Sequence, residues 1–281
     1  GAAIVVANAE GGADTLLPIM YSIPGVHLTA EDGAKLEAYV SGETAPTGAI
    51  GATEYTKVDA PSMASFSSYG PAMAGGGDLL KPDITAPGVD VIAAYSQDPE
   101  SGYPRFESLQ GTSMSAPHIA GLGALLKQKF PTWSPMAIKS AMMTTARQTT
   151  DAGKPILHGT TPATPLNYGA GEVVPAKSYN PGLVYDSDVE DWFNYACAIG
   201  QLQLVGGAEY CDAAPDTDAS DLNYPSISIG ELTGTQTVTR TVTNVNKSAM
   251  QYRAKVEAPA GITVKVVPDK ITVRPGGSAT F

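Results

Sequence analysis

The 281-residue chain carries a formal net charge of −11, with 43% hydrophobic and only 16% charged residues. So acidic a chain, without any run of Lys or Arg, lacks the concentrated positive charge that tracks phosphates, which argues against nucleic acid as a partner. The most apolar stretch, residues 119–126, is broken by Gly121 and Gly123 and falls short of the roughly 18–20 residues that span a bilayer, so no membrane span is expected.

The 30 Gly and 22 Pro predict many turns and strands around buried helices, a bias common in secreted enzymes. The sequence opens at Gly1 directly on an apolar run, with no basic segment or cleavage signature before it. The reading is a chain whose leader was removed or which begins within a longer protein.

Residues 2–7 read as a buried-type strand, followed by a polar, Gly-rich loop. A helix then starts at Thr29, with Asp32 three residues on, acidic Glu31 and Asp32 in its first turn, and Leu36, Tyr39 and Val40 at helical spacing before Gly42. From about residue 60 short apolar strands, including 64–68 and 89–94, lead into two helices, which predicts a parallel α/β sheet. The first helix runs from near Ser113 to about Lys129, with Ile119, Leu122, Leu125, Leu126 and Phe130 toward the core. The second has Ser134 as N-cap and Pro135 at its first position, then residues 136–146.

Residues 151–220 read as an irregular connector with a short helix near 192–199. Cys197 and Cys211 fit neither a CxxC redox pair nor a zinc cluster; a disulfide is the better reading, two buried thiols the alternative. A bridge closing so short a loop contributes about 3 kcal/mol. Beyond Asn223, Tyr252, Ala254 and Val256 alternate with polar neighbours, and Ile262, Val264 and Val266 alternate after a turn at 259–261, the pattern of an antiparallel β-sandwich.

The chemistry concentrates in Gly111-Thr-Ser-Met-Ser-Ala-Pro-His118, followed by Ile119-Ala-Gly121. A Ser that opens a helix after a Gly turn presents its hydroxyl at the positive end of the helix dipole, and its own N–H points where an oxyanion forms. An isolated Gly-Thr-Ser more commonly just caps a helix. The extended motif resembles the catalytic-serine motif of the subtilase family of serine proteases, in which the Ser after Gly-Thr is the nucleophile.

Ser65-Phe-Ser-Ser-Tyr-Gly-Pro71 and Lys81-Pro-Asp-Ile-Thr-Ala-Pro-Gly88 resemble the strands ahead of that serine. Ala163-Thr-Pro-Leu-Asn-Tyr-Gly-Ala-Gly171, Asn180-Pro-Gly-Leu-Val-Tyr-Asp186 and Asp221-Leu-Asn-Tyr-Pro-Ser226 are similar to the plant-type branch, which has a protease-associated insert and a fibronectin-III-like C-terminal domain. The resemblance implies residues 1–46 as the second half of that insert, 47–220 as the C-terminal part of a subtilisin-like α/β parallel-sheet domain with its connector, and 221–281 as a β-sandwich. It also implies Ser113 as nucleophile, a disulfide between Cys197 and Cys211, no metal or other cofactor, a polypeptide substrate and an extracellular location.

Subtilases order their triad Asp, His, Ser, and neither the Asp turn nor the His-Gly-Thr tripeptide appears ahead of Ser113. Asp14-Thr15 is followed by Leu16 rather than Gly. His158-Gly-Thr160 copies the tripeptide but follows the serine, in what reads as a variable loop, and is taken as coincidence. His118 lies about 140° round the helix from Ser113 and reads as a packed, hydrogen-bonded structural residue, while His27 reads as a surface residue.

The Asp, the His and the oxyanion Asn are therefore expected from an N-terminal portion of the same protease. The walls of the specificity pocket belong upstream too, so no substrate-binding residue is assigned. Ser115 lies about 200° round the helix from Ser113, so its replacement by Ala is expected to be tolerated.

Rival motifs fail: Gly111-x-Ser113-x-Ser115 lacks the last Gly of a nucleophile elbow, Gly121-x-Gly123 lacks the third Gly of a dinucleotide loop, and no HExxH is present. Asn246-Lys-Ser248 is an N-glycosylation sequon. The functional expectation is a serine endopeptidase working through an acyl-enzyme on Ser113. The alternative is a non-catalytic fragment or degenerate relative that acts as a binding module.

Overall fold

The computed structural model describes residues 3–11, 15–16, 21–52, 54–96, 106–202 and 207–281. Asp14 lies outside the described residues. The chain divides into two compact units, one built from residues 1–68, 86–119 and 149–163, the other from 69–85, 120–148 and 164–281.

In the first unit, β1 (Ile4–Ala7) pairs in parallel with β2 (Gly25–Leu28), and α1 (Ala30–Gly42) follows directly. Thr29 caps α1 by accepting from the Asp32 amide at 3.2 Å, as its sequence predicts. Gly33 lets α1 lie close on β1, since a Cβ there would stand 2.4 Å from that of Ala7. The expectation of a buried strand fails here: Ile4 and Val5 are 37% and 44% exposed. Among the described residues this two-stranded ladder has one helix to cover it.

β3 (Ser62–Met63) is only two residues long, and residues 64–68 form a turn rather than the expected strand. The cause is local. The Ser65 hydroxyl accepts from the Thr15 amide at 2.9 Å and the Ser65 amide donates to the Thr15 hydroxyl at 3.0 Å, so groups that would join a ladder are held by side chains.

β4 (Val91–Ala94) forms an antiparallel ladder with β5 (Phe106–Leu109), and α2 (Thr112–Lys129) follows. β6 (Leu157–His158) pairs in parallel with β3 and antiparallel with β7 (Thr161–Pro162). The chain is thus mixed α/β with open sheets; among the described residues β1 with β2 and β3 with β6 are its parallel strand pairs.

α2 passes from the first unit into the second, where Leu122 and Leu126 are buried. Leu125, expected on the core side, is 53% exposed. α3 (Pro135–Thr144) is capped by Ser134, whose hydroxyl accepts from the Ala137 amide at 2.9 Å. It ends two residues before the expected stop, where Thr145 turns its hydroxyl back to the Ala141 carbonyl at 2.7 Å.

The short helices α4 (Pro165–Tyr168) and α5 (Pro175–Ser178) precede β8 (Leu183–Tyr185), α6 (Val189–Ala198) and α7 (Gly207–Ala213). Ala137 and Ala141 of α3 pack with Val184 of β8, and Met143 packs with Leu222 and Tyr224.

The C-terminal strands β9 (Thr241–Asn244), β10 (Met250–Arg253), β11 (Lys270–Val273) and β12 (Ser278–Thr280) make two antiparallel ladders, β12-β9-β8 and β10-β11. A cavity of about 360 Å³ is lined by Leu183, Tyr185 and Val242 from the first and by Tyr252 and Ile271 from the second. The first ladder also includes β8, from residues ahead of 221. One expectation needs correction. Residues 262–266 form no strand, since β10 pairs with β11 instead, and Ile262 and Val264 remain exposed.

Candidate active site

The start of α2 is fixed by backbone contacts that only small residues permit. The Gly111 amide donates to the Gly88 carbonyl at 2.8 Å, and Gly111 takes φ +143°, a conformation that side chains rarely adopt. The Gly111 carbonyl then accepts from the Met114 amide at 3.0 Å and opens the helix. The Ser115 hydroxyl donates to the Ala86 carbonyl at 2.9 Å. A Cβ on Gly88 would stand 2.2 Å from that hydroxyl and 2.9 Å from the Gly111 carbonyl.

Ser113 therefore sits at the second position of an 18-residue helix, exposed, on a turn anchored to residues 86–88. The first amides of a helix lack partners within it, so the Ser113 N–H lies at the positive end of the dipole. Pro117, four residues on, has no N–H to offer the Ser113 carbonyl. An exposed hydroxyl at the positive end of a helix is suited to acyl transfer once a base takes its proton.

The histidines are placed elsewhere. His118 Nδ1 donates to the Met114 carbonyl at 2.8 Å; the hydrogen bond was expected, but the side chain is exposed rather than packed. His27 is half-buried in β2, with Nε2 at 2.8 Å from Asn8 Oδ1, so it is no plain surface residue; the parallel β1-β2 register turns both side chains to one side. His158 ends β6 opposite Met63 and belongs to a strand, not a loop. Cys197 of α6 and Cys211 of α7 form a disulfide. Among the described residues no group of three metal-ligating side chains occurs, and no helix is long and apolar enough to cross a membrane.

Two features were missed in the sequence. One is Ser115, read as idle. The other lies in the second unit, where Asp83 gathers Lys81 at 2.8 Å, Lys139 at 2.5 Å and the Tyr224 hydroxyl at 2.6 Å. Burial would push the Asp83 carboxyl up, but Lys139, Lys81 and Tyr224 together hold it below its ordinary value. Burial, followed by the charge of Asp83, pushes the Tyr224 hydroxyl far above its usual range. Both ammonium groups also lie over the Tyr224 ring, at 5.6 Å and 5.1 Å from its centroid. The Lys-Pro-Asp run was visible in the sequence, but nothing in it points to Lys139 or Tyr224.

Comparison with known proteins matches residues 5–171 to the model of the subtilase family and residues 221–281 to a fibronectin type-III domain. The subtilisin-like protease SBT5.3 of Arabidopsis thaliana is 41% identical over an alignment of 297 residues that covers all of this chain and 38% of the relative. SBT5.4 of the same plant is 38% identical, with 98% of this chain and 37% of the relative covered. SBT3.12 is 40% identical, with 90% and 35% covered. The chain thus spans less than two-fifths of the length of these relatives.

Proposed function

Since the chain belongs to the subtilase family, we propose that it is the serine-bearing portion of a plant-type serine endopeptidase with Ser113 as its nucleophile. The observation that carries this reading is the position of Ser113, exposed at the second residue of α2 within the Gly-Thr-Ser-Met-Ser motif. Residues 1–46 are read as the second half of a protease-associated insert, 47–220 as catalytic domain and connector, and 221–281 as the fibronectin-III-like part.

In the reaction, Ser113 Oγ attacks the carbonyl carbon of a peptide bond while a histidine from the N-terminal portion takes its proton. The Ser113 N–H and an upstream Asn hold the oxyanion. The C–N bond then breaks, the amine leaves with the proton, and water hydrolyses the acyl-enzyme. The triad Asp and His, the oxyanion Asn and the pocket walls are assigned to that N-terminal portion, and this chain by itself is inert. The disulfide supports an oxidising, extracellular setting.

The experiment is turnover of a peptide ester by the whole protease. A burst of product equal to the enzyme concentration, and a loss of kcat of about 10⁶-fold in Ser113→Ala, are expected. Undiminished turnover in that variant would overturn Ser113 as the nucleophile, and no turnover by the whole wild-type protease would leave the binding-module reading in its place.

A further inference from the structure

The sequon Asn246-Lys-Ser248 has the sequence of a glycan acceptor, but its acceptor nitrogen is already committed. Asn246 follows β9 in a turn organised by Asn244, which is fully buried. Asn244 Nδ2 donates to the carbonyls of Ser248 at 3.0 Å and Val273 at 2.8 Å, and its Oδ1 accepts from the Asn246 amide at 2.9 Å. So held, Asn246 directs Nδ2 to two acceptors, the Gly182 carbonyl at 3.3 Å and the Tyr252 hydroxyl at 3.0 Å. The Val245 amide donates to the same Gly182 carbonyl at 3.1 Å. One side-chain amide thus ties the residue preceding β8 to β10.

Gly182 has φ +79°, and a Cβ there would lie 3.1 Å from the Tyr252 hydroxyl and 3.6 Å from Asn246 Nδ2, so the turn comes close to both latch partners.

We propose that Asn246 is a latch between the Gly182 turn and Tyr252, and that the folded chain therefore keeps this sequon unglycosylated. Glycosylation and the latch are mutually exclusive for a chemical reason. Transfer from a lipid-linked oligosaccharide diphosphate forms a bond between Nδ2 and the sugar C1, breaks the C1–O bond to the diphosphate and removes one proton from the nitrogen. An Asn amide has two N–H donors, and the latch uses both. After transfer one donor remains, so at least one of the two contacts is lost.

The test separates acceptor from latch, because Ser248→Ala destroys the sequon without touching Asn246. The Ser248 carbonyl that Asn244 uses is backbone, and its hydroxyl makes only a 3.9 Å contact to the Met250 sulfur. The chain is expressed through the secretory pathway of a glycosylating host, and intact mass and Tm are measured for wild type, Ser248→Ala, Asn246→Ala and Tyr252→Phe. Wild type is expected to carry no glycan at Asn246, and Ser248→Ala to keep the wild-type Tm. Asn246→Ala should lose several degrees, and Tyr252→Phe, which removes one of the two acceptors, a smaller amount. A glycan mass on wild-type Asn246 that disappears in Ser248→Ala would overturn the proposal, and it is readable even if Asn246→Ala does not fold. Tm values for Asn246→Ala and Tyr252→Phe equal to that of wild type would overturn it as well.

Discussion

The Ser115 hydroxyl occupies the space that a side chain on Gly88 would fill: a Cβ there would stand 2.2 Å from it. Ser115, two residues beyond Ser113, fastens the helix to the Ala86 carbonyl and fixes the height at which Ser113 emerges. Its replacement by Ala is therefore not neutral. It leaves the Ala86 carbonyl without that donor, and a loss of about 1 kcal/mol of stability is expected. Gly88→Ala forces the helix start away from residues 86–88, and about 1–3 kcal/mol is expected. Chemical denaturation of both single variants and the double should give less than the sum, because removing the Ser115 hydroxyl relieves one of the two clashes of the new methyl.

Asp83 of the second unit holds two ammonium groups and a phenol. Asp83→Asn leaves Lys139 and Lys81 with no carboxylate in a partly buried site, and a loss of about 3 kcal/mol is expected. Tyr224→Phe removes a hydrogen bond to a charged group and should cost about 2 kcal/mol. Urea midpoints for the two variants and their combination would show coupling; strict additivity would mean the contacts act independently.

The same site fixes an acid limb. Asp83 is held below its ordinary value of 3.8 in the folded chain, so the unfolded chain binds its proton at higher pH. Its contribution is complete above the unfolded value and is lost as pH falls through the depressed folded one. The stability difference between wild type and Asp83→Asn should therefore be constant from pH 7 to about 5 and shrink below about pH 4. A difference that held steady down to pH 2 would place the titration elsewhere.

What was legible in the sequence was local. Thr29 and Ser134 announce their helices because a cap and its amide lie three residues apart. The Ser113 motif was legible for the same reason, as its turn, serine and helix are contiguous. What was not legible depends on partners far along the chain. Nothing in the sequence pairs Gly88 with Ser115, Asp83 with Tyr224, or Val184 of β8 with Thr243 of β9. The strand expected at 64–68 was lost to hydrogen bonds from Thr15, which alternation alone cannot show.

The disulfide between Cys197 and Cys211 closes a short loop joining α6 to α7. Reduction should lower stability by about 3 kcal/mol through the unfolded chain. Thiol titration of the denatured, unreduced chain is expected to return none; two thiols would contradict the bridge.

Ser113 is proposed as the nucleophile, with its base in the N-terminal portion and not in this chain. Fluorophosphonate labelling, read by peptide mapping, tests it directly, with the chain alone and after mixing with the N-terminal portion of the protease. A serine hydroxyl without a base is a poor nucleophile, so the chain alone should label negligibly. The mixture should label on the peptide containing Ser113, and Ser113→Ala should abolish it, while His158→Ala should leave it unchanged. Labelling of the isolated chain that disappeared in His158→Ala would place the base within this chain and contradict its assignment to the N-terminal portion.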